Sequence, residues 1–113
     1  MQHFYDRYRW AEDRFAHRDY RGAARSLEDL LDEAAGRPDD VGHGLAEARL
    51  LLARAYFHSA QLGRAEATLR ALLADHPDDG YATLLLARTL ERGSRHEEAR
   101  PVLRLAEALG AVA

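Results

Sequence analysis

The side chains of this chain that could do chemistry are few. They are six histidines (His3, His17, His43, His58, His76 and His96), the neighbours His58 and Ser59, and two aspartate pairs, Asp39-Asp40 and Asp78-Asp79. A metal site on a helix needs ligands three or four residues apart, so that both point off one face. No two of these histidines have that spacing. His58 and Ser59 could act as base and nucleophile only if they faced each other, and adjacent residues on a helix diverge by about 100°. The aspartate pairs sit where helices begin, and a capping role explains them there. There is no glycine-rich phosphate loop, and the absence of cysteine excludes disulfide, thiolate and zinc-knuckle chemistry. These residues predict a chain that is not an enzyme and that carries no metal and no cofactor.

The elements that would position any site are helices. The expected first helix runs from about His3 to His17 and the second from about Tyr20 to Ala35, with Asp19 as its cap. A third follows from about Gly44 to Ala60 and a fourth from Leu62 to Asp75, ended by His76-Pro77. The fifth starts after Asp78-Asp79, whose charges suit a helix N-terminus, and stops at Arg92-Gly93. Ser94-Arg95-His96-Glu97 has the form of a capping box opening a sixth helix, which Pro101 should bend.

These helices repeat. The word LLLAR occurs at Leu50–Arg54 and again at Leu84–Arg88, an offset of 34, and the same offset carries Ala65 to Ala99, Leu69 to Leu103 and Leu72 to Ala106. Ala23, Leu27 and Leu30 match Ala65, Leu69 and Leu72 at an offset of 42, so 8 extra residues lie between the first two copies, in GRPDDVGHG. Small residues at Ala53, Ala65, Ala87 and Ala99 would let helix backbones approach, with Leu52, Tyr56, Leu69 and Leu72 filling the space around them. A helix pair that buries one side must stack on its neighbours to complete a core.

With these residues the chain resembles the tetratricopeptide repeat family, whose unit reads W-x2-L-G-x2-Y, then A-x3-F, then a closing proline. Leu52, Ala53, Tyr56, Ala65, Leu69 and Pro77 fit the second unit, and Leu86, Ala87, Leu90, Ala99 and Leu103 fit the third. Trp10, Ala11, Ala23 and Leu27 fit the first, where Arg14 holds the tyrosine place and Phe15 lies one residue late. The resemblance implies an all-α fold, an α-solenoid of three antiparallel helix pairs in a right-handed superhelix. It implies one domain over residues 1–113, with repeats at about 4–37, 46–79 and 80–113 and an insertion at about 36–45.

The composition agrees. Hydrophobic residues at 47% and charged residues at 31% describe a globular chain. All 16 basic residues are arginine, and Lys, Asn and Ile are absent, as in a GC-rich coding sequence. Arginine is therefore weak evidence for phosphate here, and a net charge of −3 predicts no nucleic-acid partner. The acidic run from Glu28 to Glu47 reads as a solvated face with caps. The N-terminal MQHFYDRYRW is unlike a signal peptide, and the longest apolar run, LLLA, cannot span a membrane. The expected location is the cytoplasm.

The resemblance also implies a function, the binding of a protein or peptide partner, or a partner helix, in a concave groove lined by the first helix of each pair. The groove would take Tyr5, Tyr8, Glu12 and Phe15 from the first repeat and Glu47, Leu50, Arg54, Phe57 and His58 from the second. Tyr81, Leu84, Arg88 and Arg92 would come from the third. Aromatic, leucine and arginine side chains are the usual anchors of interfaces; the lesser alternative for Leu50, Phe57 and Leu84 is packing against neighbouring helices as core. The lysines and asparagines with which some relatives clamp a C-terminal carboxylate are missing: those places hold Tyr8, Glu12, Leu51, Tyr81 and Leu85. A self-assembling homodimer or an accessory subunit of a larger complex is the alternative. Val102, Leu105, Leu109 and Val112 form a second apolar stripe on the sixth helix, which no later helix covers in a chain ending at Ala113. A two-fold dimer would bury it.

Overall fold

The computed structural model describes residues 3–36 and 44–111, and among these it forms six helices and no strand. They are α1 (His3–Ala16), α2 (Tyr20–Ala35), α3 (Gly44–His58), α4 (Leu62–Asp75), α5 (Gly80–Arg92) and α6 (His96–Ala108). Helices take up 83% of the described residues, against roughly a third in an average globular protein. The chain is the all-α stack of helix pairs that its repeats predict. Most of the expected insertion, and Val112 of the apolar stripe, lie outside the described residues.

Packing follows the repeat. Ala11, Ala23, Ala53, Ala65 and Ala87 are 0% exposed, and at each of them the missing bulk brings two helices together. Leu27 and Leu69, one turn further on, and Leu72, two turns on, are also fully covered. One core gathers residues of α1, α2 and α3 with Ala65 of α4, and a second gathers residues of α4, α5 and α6 with Ala53 of α3. Each helix packs mainly on its neighbours in the chain, but α1 also approaches α3, and α3 approaches α5. The described parts of α2 and α4, and of α4 and α6, make no such approach. The odd-numbered helices therefore crowd the inside of a bend and the even-numbered ones splay on its outside.

Polar ties fix the pairs. Arg49 Nη1 donates to Asp75 Oδ2 at 2.8 Å, joining α3 to α4. The Tyr56 hydroxyl donates to Glu28, joining α3 to α2, and Arg7 pairs with Glu33, joining α1 to α2. Asp19 caps α2 by accepting from Gly22 N at 2.9 Å, and Asp79 caps α5 by accepting from Ala82 N at 3.0 Å, both as expected. Gly22 has to lack a Cβ, because one would sit 2.2 Å from the Asp19 carboxylate.

One expectation fails at the turns. Ser94 does not open a capping box: the N-cap of α6 is Arg95, with no side-chain cap bond. α5 does stop at Arg92 with Gly93 as its cap, and the left-handed residue of the turn is Ser94 (φ +63°), while Gly93 has φ −81°. The cause is one turn used three times. Arg18, Ala60 and Ser94 all have φ between +62° and +66°. The next amide bonds back into the last helical turn each time, Asp19 N to Arg14 O, Gln61 N to Tyr56 O and Arg95 N to Leu90 O. This is the reversal that ordinarily favours glycine. It also ends α1 at Ala16 and α3 at His58, one and two residues before the expected ends. α6 runs through Pro101 from His96 to Ala108, and Gly110 (φ +90°) makes the same reversal after it.

Candidate functional site

The first helix of each pair carries the expected binding face, and the structure divides it into two clusters. The first is a cleft of 240 Å³ between α1 and the start of α3. Phe4, Tyr5, Tyr8, Arg9 and Glu12 line it from α1, and Gly44 and Glu47 from α3. Phe4 and Tyr5 pack edge to face, with centroids 5.3 Å apart. Gly44 admits this packing because a Cβ there would lie 2.6 Å from the Phe4 ring. Burial raises the Tyr8 pKa, and the carboxylates of Glu12 and Glu47 raise it further against the opposing pull of Arg54. Tyr8 thus stays a neutral hydrogen-bond donor in an acidic, aromatic setting.

The second cluster lies at the C-terminal ends of the same helices and is cationic. The Arg54 guanidinium lies over the Phe15 ring, 4.7 Å from its centroid, and Arg92 over Phe57 at 4.6 Å. Arg92 Nη1 also donates to the Phe57 carbonyl at 2.6 Å. His58 stacks on Tyr20 with centroids 4.8 Å apart and meets Phe15 edge-on at 5.5 Å. Burial first, then Arg54 and Arg92, lower the His58 pKa, so the imidazole is neutral near pH 7 and adds no third charge. Arginines laid on aromatic faces keep their edges available for hydrogen bonds to acidic or carbonyl groups.

The remaining expected groove residues are more scattered. Tyr81 is exposed, Leu84 is half-buried, and Arg88 is turned to Glu91 at 2.8 Å. Leu50 packs on the second core, and Phe57 on both, so these two serve the fold as well as the face. Phe4, Arg9 and Tyr20 join the clusters although helical periodicity does not single them out. Tyr20 escapes because it opens the second helix of its pair and reaches the inner face only through the tight α1–α2 turn. Leu105 of α6 is 51% exposed and Leu109 36%, but α6 ends at Ala108 and Leu109 is its cap, whereas Val102 packs against the second core and leaves the expected stripe.

No group of three or more histidine or acidic side chains is placed to hold a metal among the described residues. None of their helices is long and apolar enough to cross a membrane. A family model described as Tetratricopeptide repeat matches residues 14–89. No curated protein and no solved structure matches the chain.

Proposed function

Because the chain belongs to the tetratricopeptide repeat family, a family of protein-interaction modules, we propose that it is a non-catalytic scaffold holding a peptide or a partner helix along the α1–α3–α5 face. The observation that carries this reading is the placement of Arg54 and Arg92 over Phe15 and Phe57 at the end of that face. Rigid aromatic–arginine pairs lose little conformational freedom when a partner docks, and such residues dominate interface energies. Leu84, the exposed Tyr81 and the cleft beside Tyr5 and Tyr8 would extend the contact, in the manner of a helix laid in a groove.

Partner capture from native lysate tests the proposal, with wild-type protein beside an Arg54→Glu/Arg92→Glu variant. Arg92 is exposed and Arg54 half-buried, and neither belongs to the buried core, so circular dichroism should show an unchanged fold, and the captured partner should be lost. Equal recovery by the two proteins rejects the groove reading.

A second reading, a homodimer, has one observation in its favour, the exposed Leu105 on α6 and Leu109 at its C-cap. A two-fold contact would bury both residues on each copy. Light scattering should then show twice the monomer mass, and Leu105→Glu with Leu109→Glu should return it to that of one chain. A monomeric wild-type protein at high micromolar concentration removes this reading.

A further inference from the structure

We propose that the cleft between α1 and the first turn of α3 is a pocket for one basic side chain, a lysine or an arginine, of the partner held on this face. The proposal rests on the reading of that face as a docking surface and adds the chemistry of one contact. Size is the first argument. At 240 Å³ the cleft is smaller than the roughly 300–1,000 Å³ of pockets that enclose whole small-molecule ligands. It suits one long side chain entering from outside.

The walls are the second argument. Phe4, Tyr5 and Tyr8 offer ring surface to an aliphatic stem and to a cationic head, which is drawn to the face of an aromatic ring. The edge-to-face packing of Phe4 on Tyr5 and the bare Cα of Gly44 hold that wall in place.

Charge is the third. Glu12 and Glu47 reach the cleft from different helices, and neither forms an ion pair with another described residue. Glu33 and Asp75, by contrast, are each taken up by an arginine of the neighbouring helix. Arg9 lines the same cleft without pairing to either glutamate, so the lining keeps one net negative charge, which Arg54, near enough to act on Tyr8, offsets in part from the α3 side. The positive end of the α3 dipole accounts for a carboxylate at Glu47, in the first turn, but not for Glu12, deep in α1. The opposite end of the face bears Arg54 and Arg92 and repels a cation. Glu47 and Arg54 lie seven residues apart on α3, roughly 10 Å along its axis. A partner would thus be oriented with its basic residue toward Tyr5 and its acidic residues toward Phe57.

The probes are N-acetyl-lysine methylamide and N-acetyl-arginine methylamide, with N-acetyl-norleucine methylamide as the uncharged control. Each is titrated at millimolar concentration into the isotopically labelled chain and followed by amide chemical shifts. Saturable shifts at Tyr5, Tyr8, Glu12 and Glu47 are expected with either basic probe and not with norleucine. In Glu12→Gln/Glu47→Gln the affinity should fall about tenfold or more, the usual scale for losing a charge-assisted contact. Shifts absent at these residues, equal for norleucine, or unchanged in the double variant overturn the proposal. Both glutamates are exposed, so the variant keeps its fold. The capture experiment changes residues outside this cleft, so the docking reading and the pocket can fail separately.

Discussion

α1 and α3 hold the same place in successive helix pairs and bury very different amounts of themselves. In α3 the covered residues run from Gly44 and Ala48 through Leu51, Leu52, Ala53 and Ala55 to Tyr56, whereas in α1 they are Phe4 and Ala11 alone. Position by position, Leu52 is 6% exposed and its counterpart Trp10 is 51% exposed. Tyr56 is buried and donates to Glu28, but its counterpart Arg14 is half-exposed, lies 4.1 Å over the Trp10 ring and pairs with Asp19. α6 resembles α1, with only Ala99 and Ala106 covered. The repeat therefore specifies where helices touch, and the neighbours specify how much is buried. α3 lies between two described pairs and contributes to both cores. α1 and α6 each have described helices on one side, so their small residues still make the contact while large ones such as Trp10 and Leu105 stand in solvent.

The largest effects should separate the inner positions from the outer copy of the same position. Leu27, Leu69 and Leu103 are equivalent in the repeat, but the first two are fully covered and Leu103 is half-buried. Leu27→Ala and Leu69→Ala should each cost about 3 kcal/mol of unfolding free energy, through lost burial and the cavity left behind. Leu103→Ala should cost about 1 kcal/mol, in proportion to the smaller area it buries. Denaturant melts of the three variants check this, and three equal losses would mean that repeat position, not neighbourhood, governs stability.

Helix starts make the next contrast. Asp19→Ala removes a cap bond seen at 2.9 Å and should cost about 1 kcal/mol. Ser94→Ala should cost nothing measurable, because the Ser94 hydroxyl caps no helix. The same melts distinguish these outcomes, and a loss at Ser94 comparable to that at Asp19 would restore the capping box.

Much of this was legible in the sequence. Its period of 34 identifies the buried alanines and leucines, because only small residues allow close helix contact and only large apolar ones fill the remaining space. Asp19, Asp79 and Pro77 mark boundaries by local chemistry that needs no tertiary context. The outward turn of Trp10 was not legible, since its burial depends on a neighbour that the local pattern does not encode. The reversals at Arg18, Ala60 and Ser94 were hidden because none is glycine, and only their common offset from the repeat betrays them. For the candidate site, the repeat register identifies the face. The division into an acidic and a basic cluster depends on which side chains of α1, α3 and α5 meet, and no single helix shows that.

Those reversals give a gain of function for stability. A non-glycine residue at φ +62° is strained, and Ala60 holds that conformation between α3 and α4. Ala60→Gly should relieve the strain and raise stability by about 0.5–1 kcal/mol net of the chain entropy that glycine adds. Ser94→Gly should do the same before α6. Thermal unfolding measures both, and a fall in melting temperature for either would show that the left-handed residue is not strained.

The smallest expected effect concerns how α6 is anchored. With two covered residues and no side-chain cap, its start depends on Arg95, which pairs with Glu66 of α4 and with Glu98 of α6 at 2.8 Å. Hydrogen bonds from Arg95 and then Arg70 hold the Glu66 pKa below its ordinary 4.5, and Arg95 does the same for Glu98. A carboxylate whose pKa is lower in the folded chain stabilises it fully above the unfolded value, and that contribution is lost as the pH falls through the folded value. Acid should therefore loosen α6 below about pH 4.5. α3 loses its Arg49–Asp75 tie only at lower pH, because Arg49 holds the Asp75 pKa below its ordinary 3.8, and apolar contacts on two sides keep it closed. The groups are at the surface, so the effect is modest and should shrink at high salt. Hydrogen-exchange protection, corrected for the intrinsic dependence on pH, should fall between pH 5 and pH 3.5 in α6 before it falls in α3. Arg95→Gln should abolish that difference, leaving α6 weakly protected at both pH values. Protection lost equally in the two helices would mean that acid acts on the whole stack, and that the ends are no more dependent on their charges than the middle.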